Sequence, residues 1–158
     1  MTNDFGLLLA FIGVGLAIGV SNYASARGVG AAANKGTGVL AEKPEMFTEV
    51  LKYSAMPGSQ GIYGLLVSII ILSKIGVFTG TIEPITISQG AMLLGAGIGS
   101  AFANLSAIFQ GEVAAGAISA VARNGKVSGL TITLVGLVET FAIFGLLVSI
   151  LLANFAIS

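Results

Sequence analysis

The chain has 158 residues, of which 55% are hydrophobic and 9% are charged, and its formal net charge at pH 7 is zero. With 23 glycines and a mean hydropathy of +0.99, the composition lies outside the range of soluble domains and predicts an integral membrane protein. The sequence has no His and no Cys, which excludes disulfides, thiol chemistry and metal sites built on imidazole or thiolate.

The first apolar segment begins near Phe5 and stays uncharged to Ala26, long enough to cross a bilayer core of about 30 Å. Small residues recur along it at every fourth position, in two neighbouring stripes that allow close approach of other helices. The stripes are Gly13, Ala17, Ser21 and Ser25, and Ala24, Gly28, Ala32 and Gly36. A polar segment around Pro44 then predicts a loop.

The second predicted helix runs from Phe47 to Lys74 and is interrupted by Pro57, which removes one backbone hydrogen bond. Such an interruption is tolerated in a membrane where neighbouring groups satisfy the freed backbone atoms. Ser59, Gln60 and Tyr63 follow directly, at spacings that place them on one side of the helix. They predict either a polar site or hydrogen bonding between helices.

The third predicted helix begins at Pro84, after a short loop with Gly80, and continues to about Ala122. Its small residues form one long stripe at four-residue spacing, beside which Gln110 stands. The stripe consists of Gly95, Gly99, Ala103, Ala107, Gly111, Ala115 and Ser119. This surface is suited to a crowded interior between helices.

The fourth predicted helix, Gly129 to Asn154, contains a single charge, Glu139. A charge near the bilayer centre costs at least about 2.5 to 3.5 kcal/mol, so an intramembrane carboxylate predicts a functional site. The alternative is a helix lying partly in water. The fold class is therefore all-α, integral membrane, with four transmembrane helices.

A hexapeptide, Gly-Leu-Leu-Val-Ser-Ile, occurs at Gly64 and again 81 positions later at Gly145. The two halves, residues 1–79 and 80–158, are therefore predicted to be tandem duplicated helical hairpins. At the same offset Glu139 corresponds to Gly58, so the chain has one ionisable site for its two hairpins.

Six of the seven basic residues flank the first and third connections, and only Lys74 lies on the other side. The excess of basic residues predicts that both of these connections are cytoplasmic and that both termini face outward, in a multi-pass protein of the cell membrane.

Distances from the turns indicate which polar residues share a depth. Gln110 lies 14 residues before Asn124 and Glu139 lies 14 residues after Gly125, so both lie about 21 Å from the same turn. Gln60 reaches a similar depth, and these three residues converge with Ser59 and Tyr63. A set of oxygen donors of this kind suits a hard cation such as Na⁺. A proton carrier needs only the carboxylate, and this alternative stays open.

The chain resembles the proteolipid, or K-type, component of V-type ATPases, in the duplicated form of sodium-translocating bacterial enzymes. Four segments carry the resemblance: Ala26-Arg27-Gly28-Val29-Gly30, Pro57-Gly58-Ser59-Gln60-Gly61-Ile62-Tyr63-Gly64, Phe109-Gln110-Gly111 and Val138-Glu139-Thr140. The resemblance implies that Glu139, Gln110, Gln60, Ser59 and the carbonyl of Met56 hold the ion, and that Tyr63 bonds the carboxylate.

The resemblance also implies that identical subunits oligomerise into a rotor ring in the lipid bilayer. The ring turns against a stator membrane subunit of the a or I type and contacts a central-stalk subunit at its cytoplasmic loops. The implied function is Na⁺ translocation coupled to ATP-driven rotation, with a proton-translocating ring as the alternative. No nucleic-acid partner is predicted, and the chain itself is predicted to have no catalytic site because it lacks a phosphate-binding loop motif.

Two further interpretations compete with the rotor ring. A small secondary transporter with one membrane carboxylate would work by alternating access, but parallel duplication and the glycine stripes disfavour it. A purely structural protein would not account for Glu139 among oxygen donors. Glu112 is unexpected beside Gln110, and either it pairs with Arg27, at similar depth, or both are solvated.

Overall fold

The computed structural model describes residues 2–82 and 84–157, and the side chains from Phe5 onward within them. The described residues form α-helices joined by short 3₁₀ turns. The α-helices are α1 (Thr2–Glu42), α2 (Phe47–Ala55), α3 (Ser59–Lys74), α4 (Ile87–Asn104), α5 (Ser106–Arg123) and α6 (Ser128–Ala156).

Four helical segments in the described part of the chain are long and apolar enough to cross a membrane, as predicted. The first is α1, the second combines α2 and α3, the third combines α4 and α5, and the fourth is α6. The 41 residues of α1 span about 60 Å at 1.5 Å each, so this helix extends well beyond a bilayer core of about 30 Å.

The second span is interrupted where Pro57 predicts, by a 3₁₀ turn over Met56–Gly58. The third span is interrupted as well, at Leu105, which the sequence did not predict. There the amide of Leu105 donates to the carbonyl of Phe102, and that of Ile108 to the carbonyl of Leu105, in the tighter three-residue pattern. No proline or glycine marks this break, so its sequence carries no conventional signal.

Buried residues of all four spans form the core, and the backbones approach most closely between α1 and the third span. A Cβ atom on Gly13 would lie 2.8 Å from the carbonyl oxygen of Leu93, and one on Gly97 or Gly111 would collide with the backbone of α1. The contacting glycines of the third span, Gly90, Gly97 and Gly111, fall on a seven-residue spacing. Here backbone packs directly on backbone, which only glycine permits.

The stripe predicted for the third span is divided between two faces of the helix. Gly111 meets α1 at Gly28, whereas a Cβ atom on Gly95 or Gly99 would lie 3.3 Å from side chains of α6. The four-residue spacing drifts around the helix, because 3.6 residues make a turn. The stripe therefore packs against two different helices, α1 and α6, and does not form one continuous packing surface.

The division into hairpins of residues 1–79 and 80–158 stays a prediction. Both halves contribute to the same bundle, in which α1 contacts the third span and α3 contacts α6. The outer surface of α6 exposes large apolar side chains, including Leu130, Leu151 and Phe155, as expected for a helix facing lipid.

Candidate ion-binding site

The carboxylate of Glu139 lies in the middle of α6 and faces α3. The hydroxyl of Tyr63 donates to its Oε1 at 2.6 Å, and Nε2 of Gln110 lies 3.5 Å from its Oε2. Glu139 is only partly buried in a single chain. The carboxylate is thus held from two sides, while part of its surface stays accessible at the rim of the bundle.

The two glutamines lie next to each other in the interior, and both side chains are fully buried. Nε2 of Gln60 donates to Oε1 of Gln110 at 2.7 Å, and Nε2 of Gln110 donates to the carbonyl oxygen of Val135 at 3.2 Å. Buried amides are stable only when their polar atoms are satisfied, and this pair is connected to the carboxylate through Gln110.

The break in the second span places further oxygen atoms at the site. Oγ of Ser59 lies 3.0 Å from the carbonyl oxygen of Met56 and 3.1 Å from Oε1 of Gln60. Beyond the break, the amide of Gly61 donates to Oγ of Ser25 at 2.7 Å. A hydroxyl from α1 therefore satisfies a backbone donor next to the site.

The six residues singled out by the sequence all meet at this point. Their polar atoms form a connected chain of contacts that runs from the hydroxyl of Tyr63 through Glu139, Gln110 and Gln60 to Ser59 and the carbonyl of Met56. Their role as ion ligands stays a prediction.

The site contains one carboxylate. Among the described residues, no three His, Cys, Asp or Glu side chains cluster as a metal site. Carboxylate, amide, hydroxyl and carbonyl oxygens are hard ligands, and a single negative charge balances a single positive one. The arrangement therefore fits a monovalent cation better than a divalent one.

A second polar network, which the sequence did not predict, joins α2 to the start of α6. Tyr53 is fully buried, and its hydroxyl lies 2.8 Å from the carbonyl oxygen of Ser128 and 2.7 Å from Oγ1 of Thr131. Beside it Lys52 and Glu49 form an ion pair at 2.5 Å, and Ser128 donates to Glu49. Tyr53 lies seven residues, or about two helical turns, before Gln60. This spacing, which places both on the same side of the second span, was the sequence feature that could have predicted its burial.

Arg27 and Glu112 form no ion pair within the described part of the chain. Both side chains are exposed, and the ion pair formed among the described residues is that of Lys52 with Glu49. Pairing within one chain, which the sequence left open, is therefore not what the structure shows.

The fold and the site define a class: a helical protein with four segments long and apolar enough to span a membrane, and with a single carboxylate held among polar groups in the middle of the fourth segment. The chain matches the family of the ATP synthase C subunit twice, over residues 12–71 and over residues 94–152. These matches cover more than half of the chain. The chain belongs to this ATP synthase family, in a duplicated form.

Two relatives support this assignment. The chain is 44% identical over 143 residues to the "A-type ATP synthase subunit K" of Methanocaldococcus jannaschii, which covers 90% of this chain and 62% of that protein. It is 32% identical over 153 residues to the "V-type sodium ATPase subunit K" of Enterococcus hirae, which covers 96% of this chain and 94% of that protein. The chain thus spans less than two thirds of the first relative and nearly all of the second.

Membership of this family makes the chain a multi-pass membrane subunit of an ATP synthase or ATPase, and not a catalytic one. The resemblance to the proteolipid family is confirmed, as is the all-helical, four-span fold class.

Proposed function

We propose that this chain is the ion-carrying subunit of the rotor ring of a V-type or A-type ATPase, and that it carries Na⁺ on Glu139. The observation that supports the proposal best is the connected set of oxygen donors around this one membrane carboxylate. Identical subunits form the ring in the bilayer. A stator membrane subunit exchanges the ion, and a central-stalk subunit at the cytoplasmic loops transmits rotation from soluble subunits that hydrolyse ATP.

The amide oxygens have capacity for a cation. An amide oxygen has two lone pairs, and Oε1 of Gln110 accepts one hydrogen bond, from Gln60. Oε1 of Gln60 likewise receives a contact from Ser59. Each oxygen therefore keeps one lone pair for an ion without breaking the hydrogen bond that positions it.

The number of buried polar groups favours Na⁺ over H⁺. A proton needs only the carboxylate. Gln60 and Gln110 are fully buried, and burying an amide is unfavourable in free energy unless its polar atoms find hydrogen-bond or ion partners. A dehydrated Na⁺ satisfies several such oxygens at once. The Enterococcus hirae relative is named a sodium ATPase subunit, which agrees with this choice. Proton transport by the same ring is the alternative.

In this mechanism the ion enters where Glu139 reaches the rim of the bundle. Tyr63 holds Oε1 and leaves the second carboxylate oxygen, Oε2, directed towards Gln110. Binding of a monovalent cation neutralises the carboxylate, which allows the site to cross the lipid-facing arc of the ring. At the stator a change of surroundings releases the ion. We further propose that the first and third connections are cytoplasmic and that both termini face outward.

The test uses a carbodiimide, which modifies a protonated carboxyl group. In the purified, detergent-solubilised complex at fixed pH, labelling of Glu139 should slow as Na⁺ is raised from micromolar to millimolar levels. K⁺ at equal ionic strength is the control and should give no protection. Labelling that responds to pH but not to Na⁺ would assign the ring to protons. Absence of labelling of Glu139 under all conditions would contradict the site itself.

A further inference from the structure

Arg27 and Glu112 carry opposite charges at the depth of the ion site, and both are exposed. Arg27 precedes Gly28 and Glu112 follows Gly111, and these two glycines are in backbone contact. Gln110, beside Gly111, belongs to the site. Charges at this depth are costly unless they pair or line a water-filled space, and the two form no pair with each other in the described part of the chain.

The two side chains lie on the same face of the helix pair formed by α1 and α5. In two parallel helices, the residue before the contact point on one and the residue after it on the other turn to the same side, because each residue advances by about 100°. Ser25 and Gln110 turn to the opposite side, where Ser25 meets Gly61 and Gln110 meets Gln60. The charged face is therefore the one that α3 and α6 leave uncovered.

The flanks of the same helix pair carry glycines without neighbours. A Cβ atom on Gly19 or Gly30 of α1, or on Gly116 of α5, would meet nothing within 4 Å among the described residues. By the same helical geometry, these glycines point away from the contact between α1 and α5. Such positions allow another helix to approach closely.

We propose that a second copy of this chain covers these flanks, and that Arg27 of one copy pairs with Glu112 of the next. This inference rests on the proposed rotor ring. Copies in a ring meet head to tail, so α1 of one copy faces the third span of its neighbour. Each chain carries one charge of each sign on this face, and repetition gives a closed belt of alternating charges at the level of Glu139.

The first experiment exchanges charges between copies. Arg27→Glu alone gives a chain with two acidic groups on this face, and Glu112→Arg alone gives a chain with two basic groups. We expect each variant alone to lose the detergent-resistant ring that the unmodified chain forms. Differently tagged copies of the two variants, expressed together, should recover mixed rings, since every junction between unlike copies then joins opposite charges.

The doubly exchanged chain should recover rings whether the pair forms within a chain or between copies, because opposite charges meet in both cases. Only the mixture of single variants separates the two arrangements, since pairing within a chain predicts that it recovers no rings. Rings of unchanged resistance in both single variants would overturn the proposal. Glu42→Gln, at the exposed end of α1, is the control and should leave the rings unchanged.

The second experiment uses the absence of cysteine from the chain. With Arg27→Cys and Glu112→Cys combined, a short bifunctional maleimide should give a ladder of covalent multimers of the assembled protein. Glu42→Cys with Glu112→Cys is the control and should give none. A crosslink confined to single chains, or no ladder from intact rings, contradicts the belt. Absence of rings from the unmodified protein in particle images contradicts the rotor proposal instead.

Discussion

The second and fourth spans contain the same hexapeptide but differ at the depth of the site. The second span breaks at Met56–Gly58, whereas the fourth, α6, is continuous from Ser128 to Ala156. The broken helix contributes a backbone carbonyl, a hydroxyl, an amide and a phenol. The continuous helix contributes the carboxylate, at the position that corresponds to Gly58 in the first half.

This difference indicates that, after duplication, the two halves of the chain contribute different groups to one site. A break places neutral oxygen atoms at the site, while an unbroken helix holds the charge in a fixed position against Tyr63 and Gln110. A single-hairpin protein would have to provide both from the same helix. The comparison predicts unequal effects: loss of the charge should eliminate the site, and loss of each neutral donor should weaken it.

The largest effect is expected for Glu139→Gln. The amide preserves the shape of the side chain but removes the negative charge that binds the cation, so ion transport and ion-coupled ATP hydrolysis should fall to background. Ring assembly, followed by particle imaging, should be retained. Glu42→Gln is the matched control. Undiminished transport by Glu139→Gln would show that the negative charge of Glu139 is not needed to carry the ion.

Gln110→Ala should weaken Na⁺ binding without abolishing it. A hydrogen-bonded contact to a charged group contributes about 1.5 to 3 kcal/mol, so the Na⁺ concentration that protects Glu139 from carbodiimide should rise about tenfold or more. Asn154→Ala removes an exposed amide of α6 and should leave protection unchanged. Equal protection curves for Gln110→Ala and the unmodified protein would reduce this glutamine to a packing residue.

The sequence predicted the four spans, the break at Pro57 and the convergence of five of the site residues from local signals, whereas the Met56 carbonyl was implied only by the family resemblance. Apolar length defines the spans, proline defines the break, and counting residues from the turns gives depth. The break at Leu105 has no such signal. The split of the glycine stripe depends on small angular drift along the third span, which a four-residue spacing does not resolve.

Tyr63→Phe should have a smaller effect than Gln110→Ala. It removes one hydrogen bond, at 2.6 Å to Oε1 of Glu139, and leaves all the proposed ligands in place. The carboxylate then gains rotational freedom. Because the bond from Tyr63 to this charged group forms with or without the ion, only part of its contribution should be lost from ion binding, and the protecting Na⁺ concentration should rise about fivefold. Tyr23→Phe is the control, since the Tyr23 side chain is 61% exposed on α1. Protection as weak as in Gln110→Ala would indicate that the phenol is itself a ligand.

The smallest effect is expected for Tyr53→Phe, because Tyr53 does not touch the site. Tyr53 lies three residues before Met56, where the break begins. Its hydroxyl joins α2 to the start of α6 through contacts with Ser128 and Thr131. Without these bonds α2 can shift relative to α6, and the Met56 carbonyl shifts with it.

We expect the protecting Na⁺ concentration to rise about two- to threefold in Tyr53→Phe. This is less than the effect of losing a complete hydrogen bond, because Thr131 retains its own bond to the carbonyl of Val127. The decisive measurement is a double-mutant cycle with Ser59→Ala, whose hydroxyl contacts the same carbonyl of Met56. Two changes acting through the break should be non-additive. Additive effects would place Tyr53 outside the ion site, as a residue that stabilises the bundle alone.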